Sequence, residues 1–184
     1  MSAEAPSPWV VRWAPLIAPG ARVIDVACGS GRHSRHLAER GARVTAVDRN
    51  AEALAGLSDI AETRCLDLEQ EGWPLAGETS DAVVVTNYLW RPHFEALLAL
   101  LAPGGLLIYE TFHRAHAAVG RPKSDAFLLQ DGELLARCAG LRIHAYEQGW
   151  DAPRQRFVQR IVACRDDAEA PPRALCDSTV FTPT

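Results

Sequence analysis

The chain has no run of the roughly 18 apolar residues that a membrane-crossing helix needs, so no membrane role is expected. Residues 1–8 lack the basic stretch and apolar run of a secretory leader, and a cytoplasmic protein is expected. Paired Cys-x-x-Cys spacings are missing. Five cysteines, Cys28, Cys65, Cys138, Cys164 and Cys176, are odd in number and widely scattered. That pattern suits reduced thiols and offers no zinc spacing, so no metal is expected. A basic excess is also absent. The net charge of −4 argues against a large electrostatic footprint on nucleic acid. Internal repeats and low-complexity tracts are lacking. What is there is 184 residues with 48% hydrophobic content, enough for one domain with a substantial core.

Strand and helix signals alternate along most of the chain. Trp9, Val10, Trp13 and Ile17 recur at helical spacing and predict a short helix over 7–18, with Pro15 working against it. Trp9 and Trp13 suit a dimer surface as readily as the core, so monomer and homodimer both stay open. Strands are expected over 22–26, 43–47, 64–66, 81–86 and 106–110. Helices are expected from Ser30 to Gly41, over 51–57 and over 94–101, the last stopped by Pro103-Gly104-Gly105. Residues 68–80 read as loop. Asp131 reads as the N-cap of a helix ending near Gly140, and strands follow over 141–147 and 157–164. Strand–helix–strand units with buried strands imply parallel right-handed crossovers. The expected fold class is therefore α/β: a Rossmann-like, doubly wound, mostly parallel sheet of about seven strands with a final antiparallel strand.

The most specific local signal is Val23-Ile24-Asp25-Val26-Ala27-Cys28-Gly29-Ser30-Gly31. It is an apolar strand, an acid at its end, then a glycine turn leading into a helix. Glycines there let backbone approach a nucleotide-type ligand closely. A dinucleotide would bring its pyrophosphate to that turn, where Asp25 repels it. Ser34 stands where the dinucleotide fingerprint has its third glycine. Both features count against a nicotinamide-dependent oxidoreductase. A cationic, phosphate-free ligand would welcome the acid. A second strand, 44–47, ends in Asp48.

Asp25, Gly29, Gly31, Asp48 and the form Asp-x-x-Cys-Gly-x-Gly-Arg together resemble the class I S-adenosylmethionine-dependent methyltransferases, in particular the small bacterial tellurite-resistance branch. The resemblance covers residues 20–165. It implies one methyltransferase domain, placed over 1–165. The N-terminal helical segment over 1–20 is read from the helical periodicity there, a lid over 111–130 from the broken rhythm of that stretch, and an extension over 166–184 from its polar, proline-containing composition. The resemblance implies S-adenosylmethionine as cofactor. Asp25, Cys28, Gly29 and Gly31 would meet the methionine part, Asp48 the ribose hydroxyls, and Asp67 with Leu68 the adenine, flanked by Arg49. Cys28 reads otherwise as a small packing residue. Asn87 and Tyr88, at the end of the 81–86 strand, would line the methyl-transfer channel, with Asn87 near the cofactor. Soft acceptors need no general base. If one is used, His93, His113 and His116 are nearest, whereas His33 and His36 read as solvent-facing or locally bonded. Arg32 reads as a salt bridge or an anion site. Arg121 and Lys123 in the lid would favour an anionic acceptor. The expected function is methyl transfer to an unidentified small molecule, with no nucleic-acid partner. The alternatives are a non-catalytic S-adenosylmethionine-binding protein and, less well supported, the NAD-dependent oxidoreductase.

Overall fold

The computed structural model describes residues 4–166 of the chain. The extension expected over 166–184, apart from Asp166, and Cys176 lie outside the described residues. Seven strands form one sheet: β1 (Arg22–Val26), β2 (Arg43–Asp48), β3 (Glu62–Cys65), β4 (Ser80–Thr86), β5 (Leu101–Phe112), β6 (Arg142–Asp151) and β7 (Arg156–Cys164). Their order across the sheet is β3-β2-β1-β4-β5-β7-β6. The first five are mutually parallel, and β7 runs antiparallel to both β5 and β6. The winding reverses between β1 and β4, and there the carboxyl ends of the strands leave a crevice for a ligand.

Side chains alternate across each central strand, so both faces must be covered. Val23, Ala82, Val84, Leu106, Ile108 and Val162 face one way, onto Trp9, Val10 and Trp13 of α1 (Pro8–Trp13) and Leu37 of α2 (Arg32–Glu39). Ile24, Val83, Val85, Leu107, Tyr109 and Ile161 face the other way. They meet α4 (Phe94–Ala99) through Phe94 and Leu97, and α5 (Glu133–Arg137) through Leu134. The short α3 (Ala51–Leu54) packs Leu54 with Cys28, Ala46 and Leu57. Trp9 and Trp13 are therefore core residues, edge to face at 5.7 Å, and not a free dimer surface. α1 is shorter than the helix expected over 7–18: it ends at Trp13, and the chain continues through Pro15 as a 3-10 turn over Ala14–Leu16. Among the described residues no helix is long and apolar enough to cross a membrane.

Two local expectations fail for identifiable reasons. Pro103-Gly104-Gly105 does not simply stop a helix. It is a bulge inside β5, where the pairing with β4 jumps from Ser80/Leu101 to Ala82/Leu106. Backbone bonds from Gly104 N to Arg165 O and from Arg165 N to Gly105 O tie the bulge to the end of β7. Asp131 does not cap α5. The N-cap is Gly132, left-handed at φ 69°, and Asp131 turns away to accept from the Gln148 side chain at 3.0 Å and to meet His113 at 3.1 Å.

Candidate functional site

Between β1 and α2 the chain makes its glycine turn. Gly29 and Gly31 have φ of 57° and 77°, a conformation that side chains resist. A Cβ on Gly31 would sit 2.3 Å from a Leu57 methyl, while one on Gly29 would meet nothing within 4 Å. The space beside Gly29 is therefore open. The Gly29 N–H donates to Asp48 Oδ2 at 2.8 Å, and the Asn50 N–H donates to Asp48 Oδ1 at 2.9 Å. The Asp48 carboxylate is therefore held by two backbone donors, and each oxygen keeps lone-pair capacity toward the crevice. Asn50, not Asp48, caps α3 by accepting from Glu52 and Ala53.

Asp25 is buried beneath the turn. Its Oδ2 accepts from Ser34 Oγ at 2.6 Å, and its Oδ1 has no protein partner. Burial pushes its carboxyl up from 3.8 to about 7, against the pull of the Ser34 hydroxyl. A buried acid with an unpartnered oxygen beneath the turn is chemically suited to a positively charged group. Cys28 packs among Ala46, Leu54 and Leu57, and burial pushes its thiol up, so its side chain is a packing element.

The crevice at the strand ends is a cleft of about 350 Å³. Its polar end carries Asp48, Arg49, Asp67 and Glu69, with Leu66 and Leu68 between them. Three carboxylates there face one guanidinium, and Arg49 already lies 3.7 Å from Glu69. Asp67 Oδ1 accepts from the Glu69 amide at 2.9 Å. Ala27, Asn87, Tyr88 and Leu89 line the middle, and Phe112, Pro122 and Phe127 line the far end. Asp48, Arg49, Asp67, Leu68, Asn87 and Tyr88 are thus brought together. Asp25, Cys28, Gly29 and Gly31 do not stand in the lining; the Gly29 N–H reaches it only through Asp48.

Ala27 and Asn87 are non-glycine residues at φ 53° and 55°, each just past a strand that ends at the crevice. Asn87 is held there by Arg156, whose Nη1 donates to its Oδ1 at 3.1 Å. Arg156 belongs to a buried charge network. Its Nη2 donates to Glu110 Oε1 at 2.5 Å and its Nε to Asp151 Oδ2 at 3.3 Å. Arg160 Nη2 lies 2.8 Å from Asp151 Oδ2. Its Nε approaches Glu110 Oε2 at 3.2 Å without the alignment of a hydrogen bond. Tyr109 fixes the next residue, its hydroxyl donating to Tyr88 O at 2.7 Å.

The candidate bases are engaged elsewhere. His93 bonds Gln70 O at 2.9 Å, outside the cleft lining. His113 is buried against Asp131, and His116 bonds Arg121 O at 3.0 Å and stacks on Phe112. His33 is not solvent-facing. Its Nε2 accepts from the Ser7 N–H at 3.1 Å, which leaves the proton on Nδ1 to donate to Thr86 Oγ1 at 3.3 Å. Burial lowers its imidazole to about 3 and keeps it neutral. Arg32 pairs with Glu4, so the salt-bridge reading holds.

Several residues that matter here carried no sequence signal for their roles. Ser34 holds Asp25, Arg156 holds Asn87, and Ser7 joins His33 to Glu110 through an Oγ–Oε1 bond of 2.9 Å. Arg91 fastens the 111–130 segment. It meets both Glu133 oxygens at 2.7 and 2.8 Å, and it donates to the carbonyls of Asp125, Ala126 and Leu128. Only Ser34 was visible beforehand, as the departure from the dinucleotide fingerprint.

Residues 23–105 match the family described as a methyltransferase domain. The doubly wound sheet matches that of solved methyltransferases. Among solved structures, TehB from Haemophilus influenzae superimposes with a TM-score of 0.70 at 22% identity, covering 86% of this chain and 61% of that one. The N-methyltransferase NodS from Bradyrhizobium japonicum WM9 gives 0.67 at 16% identity over 86% and 93% of the two chains. Among curated relatives, the ubiquinone biosynthesis O-methyltransferase of Xanthomonas campestris pv. campestris is 34% identical over 140 residues, which is 70% of this chain and 56% of the relative. The Psychrobacter cryohalolentis protein of the same name is 32% identical over 140 residues, 69% and 52% of the two. The chain spans about half the length of the curated relatives it matches. The chain shares the fold of the solved methyltransferases it superimposes on.

Proposed function

We propose that the chain is an S-adenosylmethionine-dependent methyltransferase acting on a small molecule. The observation that carries this reading is the charge of the site. Three carboxylates line the polar end of the cleft, and a fourth, Asp25, lies beneath the glycine turn with an unpartnered oxygen. A sulfonium and an ammonium fit that field, whereas a pyrophosphate would enter against it.

Asp48 would take the two ribose hydroxyls, because its oxygens are already aimed by two amides. Asp67 would accept from the adenine amine and Leu68 would pack on the ring. The open face of Gly29 and the Asp25 oxygen would hold the methionine part. Asn87 and Tyr88 would form the wall at the reacting centre, braced by Arg156 and Tyr109. S-adenosylmethionine, when bound, supplies a methyl group already activated for in-line displacement. The protein's part is to orient the two reactants and keep water out. The segment over 111–130 would act as the lid. The four described cysteines are free thiols, which suits a reducing, cytoplasmic setting.

Incubation with methyl-labelled S-adenosylmethionine and fractionated small metabolites tests the proposal. Label should move into a small-molecule fraction. Binding of the cofactor with no transfer to any fraction would favour the non-catalytic alternative.

A further inference from the structure

The two ends of the cleft differ in chemistry. The β2–β3 end is acidic, and its one cation, Arg49, is already paired with Glu69. The lid end is built from Phe112, Pro122 and Phe127. Arg121 and Lys123, expected to draw an anion, are not in the lining. An oxyanion entering here would meet an excess of carboxylate and no free cation among the lining residues.

Phe127 is unusual, being a large apolar side chain left exposed. It is not on a loose tip. Arg91 Nη1 donates to Asp125 O at 2.9 Å and to Ala126 O at 3.0 Å, and its Nη2 donates to Leu128 O at 2.7 Å. The carbonyls on both sides of Phe127 are therefore held by one guanidinium. Glu133 locks that guanidinium through both oxygens. The ring at the inner end, Phe112, is fixed by stacking on His116 at 4.6 Å. Rigid rings lining an apolar space favour a flat partner, because aromatic contacts add specific geometry to simple burial.

Resting on the methyl-transfer reading, we infer that the lid end of the cleft is an acceptor subsite for a flat, uncharged aromatic ring, with Phe127 as its outer wall and Arg91 as the residue that positions this wall. The test loads the protein with S-adenosylhomocysteine, to fill the cofactor end, and titrates 2-naphthol by saturation-transfer NMR with tellurite as competitor. Naphthol should bind. Phe127→Ala should weaken it about tenfold, and Arg91→Lys should weaken it as well. In both variants the affinity for S-adenosylhomocysteine should stay within about twofold, which a merely structural defect would not allow. Lys123→Ala should change nothing, and tellurite should not displace the probe. Absence of naphthol binding, equal binding to Phe127→Ala, or displacement by tellurite would overturn the inference. Failure to bind S-adenosylhomocysteine would overturn the methyl-transfer reading first and this subsite with it.

Discussion

At the scale of single residues, the site depends on a few atoms that have no substitute. Gly31 occupies a left-handed backbone and leaves no room for a methyl group beside Leu57. Gly31→Ala should cost about 2 kcal/mol or more in stability, read as a lower urea midpoint. Asp48 accepts from two backbone amides. Asp48→Asn must turn an N–H toward one of them, so affinity for S-adenosylhomocysteine should fall at least about tenfold by calorimetry, with the fold intact by circular dichroism. Both residues were legible in the sequence, because a glycine turn and a strand-end acid are local patterns. Ser34 was legible only as a missing glycine. Its bond to Asp25 depends on the helix turning the hydroxyl back beneath the strand, and that phase emerges only when α2 is docked. Arg156 was not legible at all, since its partner Asn87 is 69 residues away.

At the scale of elements, helices and strands with strong periodicity form close to where they were expected, and departures occur where tertiary bonds override local signals. β5 begins five residues earlier than the apolar run at Leu106, because the Pro-Gly-Gly bulge is held by β7. α5 starts after a glycine because His113 and Gln148 compete for Asp131. The 111–130 segment, the proposed lid, is fastened through Arg91 to Glu133. That carboxylate binds Arg91, Arg137 and the Gln130 amide. Burial pushes its carboxyl up, but these partners outweigh it and hold it at about 2. Glu133→Gln should cost about 1–3 kcal/mol and raise amide exchange over residues 124–130 while exchange in β1 and β4 stays unchanged. On the opposite face, Trp9→Ala should cost about 3–5 kcal/mol, since α1 buries that ring in the core.

At the scale of the whole molecule, the parallel sheet was foreseeable from the order of its elements, and the acidic end of the cleft was foreseeable from acids placed at strand ends. The far end was not, because Phe112, Pro122 and Phe127 meet only after the lid has folded back. The Asp25 carboxyl is raised to about 7, so in the ligand-free protein it contributes stability below about 3.8, and that contribution is lost as pH rises through about 7. His33 runs the other way, contributing above 6.5 and losing its contribution as pH falls toward about 3. Relative to wild type, Asp25→Asn should therefore gain stability between pH 4 and pH 8, read from urea midpoints across that range. A buried acid that lowers stability at neutral pH is understandable if a cation arrives to meet it. The same sign makes binding of a cationic ligand tighten as pH rises to about 7. The most direct measurement is calorimetric titration of the purified protein at pH 7.5 with S-adenosylhomocysteine and, separately, with NAD. Saturable binding of the first and none of the second is predicted; binding of NAD, or indifference to S-adenosylhomocysteine, would contradict it.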